Sequence, residues 1–280
     1  PTQSNEPEYE LRGYQERAVA SILNSSEKIG LYVSPCGTGK TLVVGRALRT
    51  LSPDIVVVAS PLQVSADQNA TRIGAFLPEH TLVRAWSEAG VTTFDQVRDA
   101  IEGAGARVFV STTFDTLPIV ATVLVEASFY LVVDEAHNLP RLETSSSSSS
   151  DTDTDTESQS GVHPLLAAVY SSERALLVTA TPPAPLIEDN PYVVSVHTYT
   201  FGEAIADGSS SDYKIYIPEI TTTSPRVRVG DKRTSSDAED PENSVAAKAA
   251  FLASGMLESG SRRCIVFCES VNACTAFADA

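Results

Sequence analysis

Two short runs carry the residues able to do chemistry on a phosphate. In Ser34-Pro35-Cys36-Gly37-Thr38-Gly39-Lys40-Thr41, Gly37 and Gly39 let consecutive backbone N–H groups turn inward around an anion. The N-terminus of a following helix adds partial positive charge to that cradle. Lys40 has the reach and charge for β and γ phosphates, Thr41 offers a hydroxyl to Mg²⁺, and Pro35, Cys36 and Thr38 complete the loop. The spacing is that of G-x-x-x-x-G-K-[ST], except that Ser34 stands at the first glycine. The second run, Asp134-Glu135-Ala136-His137, pairs a carboxylate for Mg²⁺ with a neighbouring one able to orient and deprotonate water. Hydrolysis of a γ-phosphate needs both functions within a few ångströms, hence adjacent acids. ATP and Mg²⁺ are the cofactors this chemistry calls for.

Such groups work only if regular elements deliver them. Ile29 to Val33 is an apolar run with the length of a buried strand, and Thr41 to Leu51 has apolar residues at helical spacing, so the loop joins a strand to a helix. Phe129 to Val133 is the most apolar strand and delivers Asp134 to the crevice where open α/β sheets bind ligands. Further strands are expected at 55–59, 81–86, 107–111, 175–178, 192–196 and 264–267. Helices are expected at 8–24, 93–101, 164–170 and 245–257, the second opened by a capping box at Thr93-Phe94-Asp95-Gln96. Strands alternating with helices predict an α/β fold, a parallel sheet covered on both faces.

Composition narrows the class. The chain has 280 residues, 42% of them hydrophobic, and a formal net charge of -16, so a polyanion could be gripped only by a local basic stripe. No run of eighteen apolar residues is present, so no membrane partner is expected. Pro1 to Glu10 is polar and acidic, without the basic-then-apolar order of a secretion signal; an intracellular setting is the expectation. Cys36, Cys264, Cys268 and Cys274 form no C-x-x-C pair, so a zinc site is not expected. Ser145 to Ser150 followed by Asp-Thr alternation reads as a disordered acidic insertion over 142–160, too polar to offset its ordering entropy.

Leu11-Arg12-Gly13-Tyr14-Gln15, placed before such a loop, resembles the segment with which superfamily 2 helicases and translocases recognise adenine; the resemblance implies that Gln15, with Arg12, faces the base. Ser60-Pro61-Leu62 is similar to the family's motif Ia, and Thr113-Phe114-Asp115-Thr116-Leu117 to a turn beginning the next helix. These make Ser60, Pro61 and Thr113 candidate nucleic-acid contacts. Thr179-Ala180-Thr181 resembles motif III, implying that Thr179 and Thr181 link to the Asp-Glu-Ala-His run through His137. Glu135, Asp134 and Lys40 are then the catalytic set, with Thr41 and Asp134 on the metal.

The loop and Thr179-Ala180-Thr181 look closer to the restriction-enzyme-like branch than to spliceosomal DEAH proteins. The resemblance implies a RecA-like P-loop NTPase fold and an ATP-dependent DNA helicase or translocase, with an RNA helicase as the alternative. Residues 1–200 would form the first RecA-like domain, 201–243 a linker and flexible acidic loop, and 244–280 the start of a second RecA-like domain. The family's second domain supplies further arginines to the transferred phosphate. A non-catalytic module that binds ATP or a partner is the competing expectation from another class.

Overall fold

Each apolar run of five or six residues is followed by a stretch with apolar residues three and four apart, and the chain folds accordingly. The structure, a computed structural model, describes residues 10–140, 163–183, 192–212 and 245–260, together with 266 and 275. In chain order the elements are α1 (Gly13–Asn24), β1 (Ile29–Val33), α2 (Lys40–Leu51), β2 (Ile55–Ser60), α3 (Gln63–Gly74), β3 (Thr81–Ala85), α4 (Phe94–Ala104) and β4 (Val108–Thr113). There follow α5 (Leu117–Val123), β5 (Tyr130–Asp134), α6 (Pro164–Ser171), β6 (Arg174–Thr179), β7 (Val193–Thr198), α7 (Phe201–Ala206) and α8 (Val245–Ser259). Single 3₁₀ turns occur at Ser87–Ala89 and Ala136–Asn138.

The strands form one sheet in the order β3-β4-β2-β5-β6-β1-β7, every neighbouring pair parallel. Parallel neighbours need crossovers, and the helices supply them. Alternate residues face opposite layers. Leu31, Val57, Val110, Leu131 and Leu177 pack with Val97 of α4, Leu117 and Val120 of α5 and Ala168 of α6. Tyr32, Val56, Phe109, Val132 and Leu176 pack on the other face with Ile22 of α1, Val43 and Leu48 of α2 and Ile73 of α3. Burying each such Val or Leu contributes about 1.5–3 kcal/mol, and strands buried on both faces explain why β2 and β5 read as unbroken apolar runs.

The expected elements that fall among the described residues are present with shifted ends. The first helix starts at Gly13 rather than near residue 8, because Arg12 is extended and its N–H donates to the Gln15 side chain. The start of the stretch read as linker, 201–243, contains α7, opened by a capping box between Thr200 and Glu203. The insertion at 142–160, the loop at 219–243 and the strand at 264–267, apart from Val266, lie outside the described residues. Contacts divide the chain into one compact unit, Pro1–Ser211, and a second, Asp212–Ala280, in which α8 is the described helix. No described helix is long and apolar enough to cross a membrane.

Helix α2 lies close to the segment after α3, and one glycine permits it. A Cβ on Gly45 would fall 2.4 Å from the Phe76 ring, whereas one on Gly103 would meet nothing within 4 Å. Gly45→Ala is expected to lower stability by about 1–3 kcal/mol through overpacking. Gly103→Ala, in the last turn of α4, is expected to raise it by about 0.5–1 kcal/mol. Urea midpoints of the two variants check the contrast; shifts of the same sign would contradict it.

Candidate functional site

At the end of β1 the Ser34 N–H donates to the Thr179 carbonyl at 3.1 Å, carrying the pairing with β6 one residue further. The chain then turns sharply. Gly37 and Gly39 have φ of 80° and 82°, the left-handed region that side chains strain. At Gly39 a Cβ would also lie 2.6 Å from Gln15 Nε2. The N–H groups of Cys36, Gly37 and Gly39 donate to no backbone carbonyl among the described residues. Those of Lys40 and Thr41, first in α2, have no partner within the helix. The result is a ring of available donors at a helix N-terminus.

Ser34, where the pattern has glycine, has a structural role. Its hydroxyl is fully buried, 2.6 Å from Thr38 Oγ1. Thr38 gives its proton to the Pro35 carbonyl at 2.7 Å, so Ser34 is the donor of that pair. From outside, Tyr14 Oη and Gln15 Nε2 both donate to the Thr38 carbonyl, at 2.9 and 3.0 Å. Tyr14 in turn stacks on Tyr199, with centroids 4.4 Å apart and planes 7° from parallel. Under the loop, burial pushes the Tyr32 phenol up to about 12, leaving it neutral at ordinary pH. Lys40 Nζ donates to the Ser34 and Pro35 carbonyls at 3.2 and 3.4 Å.

Asp134 ends β5 with a donor on each oxygen: the Glu135 N–H reaches Oδ1 at 3.1 Å and Asn69 Nδ2 reaches Oδ2 at 2.8 Å. Glu135 has φ of 52°, a conformation costing a non-glycine residue about 1–3 kcal/mol, and it turns the chain abruptly into Ala136–Asn138. Asn138 Nδ2 donates to the Glu135 carbonyl and lies 3.2 Å from His137 Nε2. An amide N–H₂ only donates, so Nε2 accepts and the ring proton sits on Nδ1. That proton faces Thr179 Oγ1 at 3.1 Å and Glu135 Oε2 at 3.3 Å. Thr179 Oγ1 also accepts from the Thr181 N–H at 3.2 Å. His137, Thr179 and Thr181 therefore meet, but Thr181 enters through its backbone rather than its hydroxyl.

A cleft of about 650 Å³ opens over these elements, lined by Cys36, Gly37, Gly39, Lys40 and Thr41 on one side and Asp134 and Glu135 on the other, with Arg72 and Phe76 completing it. A void of about 10 Å³ is bordered by Lys40, Thr41, Asn69 and Asp134, close to the space one water occupies. Arg12, Gln15, Pro35 and Thr38 do not line the cleft: Pro35 and Thr38 are bonded to each other within the loop, Gln15 braces the Thr38 carbonyl, and the Arg12 N–H holds the Gln15 side chain. A second crevice, about 350 Å³, is lined by Pro61, Leu62, Gln63, Thr113, Asp115 and Thr116 among others. Ser60 does not reach it, because its hydroxyl is fully buried and accepts from Asn69 Nδ2 at 3.0 Å.

The donor set suits a nucleoside triphosphate with a hard divalent cation. Among the described residues no three His, Cys, Asp or Glu side chains could cage a metal. Mg²⁺ needs no such cage, since it keeps several waters and takes one or two protein oxygens plus substrate phosphates. Asp134 and Thr41 carry oxygens of that kind, and both border the cleft. Sequence reasoning missed Asn69, Arg72, Phe76, Tyr14 and Tyr199. Asn69 alone left a trace: it lies in line with Ala66 and Ile73 on the buried face of α3, and a polar residue there must find a partner.

Fold and site together define a domain of the RecA-like helicase fold: a seven-stranded parallel sheet, a glycine-turned loop after β1 and paired acids after β5. The chain belongs to the DEAD/DEAH box helicase family, whose model matches residues 12–189. No sequence among the curated proteins matches it. Among solved structures it is similar to the ATP-dependent Type ISP restriction-modification enzyme LlaBIII bound to DNA, with TM-score 0.53 and 18% identity over 74% of this chain and 16% of that one. A nuclease-deletion mutant of the Type ISP enzyme LlaGI, in complex with a DNA substrate mimic, gives TM-score 0.53 and 15% identity over 91% of this chain and 23% of that one. The chain thus spans less than a quarter of either protein, and the shared property is the fold.

The buried hydroxyl pair under the loop can be tested by stability. Ser34→Ala removes one donor and is expected to cost about 1 kcal/mol. Thr38→Val takes the acceptor from the buried Ser34 hydroxyl and leaves the Pro35 carbonyl with Lys40 Nζ at 3.4 Å, so it is expected to cost more, about 1–3 kcal/mol. Denaturant unfolding of both variants checks the order; equal, negligible losses would mean the pair does not hold the loop.

Proposed function

We propose that this domain binds ATP with Mg²⁺ on the 34–41 loop and uses hydrolysis to drive movement along a nucleic acid, DNA in preference to RNA. One observation supports the reading above others. Lys40 and Thr41 share one cleft with Asp134 and Glu135, more than ninety residues away in the chain. Lysine, hydroxyl and two acids around one cavity are what phosphoryl transfer to water requires.

The residues take the following roles. The Lys40 ammonium exchanges the Ser34 and Pro35 carbonyls for β and γ oxygens, and the N–H groups of the loop hold the same phosphates. Asp134 and Thr41 hold Mg²⁺, which supplies charge neutralisation to the departing phosphate. Glu135 accepts the proton of the attacking water at its carboxylate, with the His137 Nδ1–H orienting Oε2. Asp134-Glu135-Ala136-His137 is in this reading a DEAH box. His137 with Thr179 and the Thr181 N–H carries its position to residues 179–181. Gln15, with Arg12, faces the base; the Thr38 carbonyl keeps the Tyr14 hydroxyl when the Gln15 amide turns to adenine.

Pro61, Thr113 and the backbone beside Ser60 line the track side, where contacts to sugar and phosphate give grip without base readout. The choice of DNA is supported by the restriction-enzyme-like motifs and by the DNA carried in the LlaBIII and LlaGI structures. A second motor domain is the partner expected to complete the cleft.

Lys40→Ala is expected to abolish the rise in melting temperature that ATP with Mg²⁺ gives the chain. A rise equal to that of the unchanged protein would remove the phosphate loop from the proposal. Glu135→Gln is expected to keep nucleotide affinity and slow hydrolysis about 10²-fold or more, as loss of a general base does. Hydrolysis measured with duplex DNA and with RNA tests the track. Intact binding without turnover in either case would make the domain a nucleotide-binding module instead.

A further inference from the structure

Asp134 is the carboxylate on which the metal reading rests, and its orientation is set from another helix. Asn69, in the middle of α3, is 5% exposed. Its Nδ2 has two hydrogens and two acceptors, Asp134 Oδ2 at 2.8 Å and Ser60 Oγ at 3.0 Å. The Asp134 carboxylate is thereby clamped, with Glu135 N–H on Oδ1 and the amide on Oδ2. A carboxylate with a donor on each oxygen cannot rotate without breaking one hydrogen bond. A neutral amide achieves this without adding charge that would compete with a cation.

Asn69 also borders, with Lys40, Thr41, Asp134 and the apolar side chains of Val44, Val58, Ile73, Val132 and Val178, a gap of about 10 Å³, so it lies beside both proposed metal ligands. Ser60, its second acceptor, directly precedes Pro61, Leu62 and Gln63, which line the other crevice. We propose that Asn69 is a positioning residue for Asp134, holding Oδ2 while the Glu135 N–H holds Oδ1, so that the carboxylate keeps one orientation with its remaining lone pairs for a divalent cation, and tying that carboxylate to the loop at 60–63. This deepens the reading of Asp134 as a metal carboxylate and rests on it. Outer hydrogen-bond partners of metal ligands commonly tune affinity about 10–100-fold.

The test is Mg²⁺ dependence of nucleotide binding by the full chain, read by fluorescence of a labelled ADP with and without the metal. Asn69→Leu keeps approximate size and removes both donors. It is expected to raise the Mg²⁺ concentration for half-maximal binding about tenfold or more, with metal-free affinity unchanged. In an Asp134→Asn background the same substitution is expected to add nothing, because the group it positions is already gone; a merely structural role would still weaken binding there. Asn69→Ser, whose single hydroxyl cannot bridge both acceptors, goes through the same titration and carries the test should leucine prevent folding. It is expected to shift the Mg²⁺ requirement in the same direction. An unchanged Mg²⁺ requirement in the folded Asn69 variant, beside a raised one in Asp134→Asn, overturns the positioning role. No change in Asp134→Asn overturns the metal reading itself.

Discussion

Three parallel strands that end side by side set the chemistry of this domain. β6 lies between β5 and β1, with Asp134 opposite Val178 and Thr179 opposite Val33. All three run the same way, so the segments that follow them emerge at one edge of the sheet, where helix N-termini also point. The phosphate loop after β1, the acids after β5 and the Thr179 turn after β6 are therefore neighbours, although far apart in the chain. Both faces of these strands are buried under helices, which holds the edge stiff enough for hydrogen bonds to fix the side chains.

The phosphate loop depends on packing from outside itself. Inside, the hydroxyls of Ser34 and Thr38 tie its first and fifth residues together. Outside, Tyr14 and Gln15 of α1 seize the Thr38 carbonyl, and the Tyr14 ring lies flat on Tyr199, which leads into α7. Each bond is worth about 1 kcal/mol, and together they satisfy the loop's hydroxyls and the Thr38 carbonyl from elsewhere and leave its N–H groups for an anion. The brace also gives α7 and the residues after β7 a physical connection to the nucleotide cleft.

Helix α3 provides a second connection. It begins at Gln63 on the crevice, hydrogen-bonds Asp134 through Asn69 and reaches the cleft at Arg72, with Phe76 just beyond its end. Two cavities thus share one rigid element, and the carboxylate at the end of β5 is hydrogen-bonded to it. An element with contacts to two sites can couple them only if it has two arrangements. The Ser60–Asn69–Asp134 chain is where such a shift would be felt first.

What the sequence by itself determined was local. The glycines, lysine and hydroxyl of the loop, the paired acids and the alternation of strand and helix all depend on spacing within a few residues. That is why the strands and the principal helices were legible in the sequence, whereas the meeting of Lys40 and Thr41 with Asp134 and Glu135 was expected only through the resemblance of the motifs and is made by the strand order. Only the tertiary structure decided that Ser60 faces inward, that Thr181 contributes its backbone, that Gln15 braces the loop, and that Asn69, Arg72, Phe76, Tyr14 and Tyr199 belong to the site. Those outcomes follow from which surfaces the packed helices bring together. A buried polar group takes whatever partner the packing puts within about 3 Å, and nothing in its own neighbourhood along the chain names that partner.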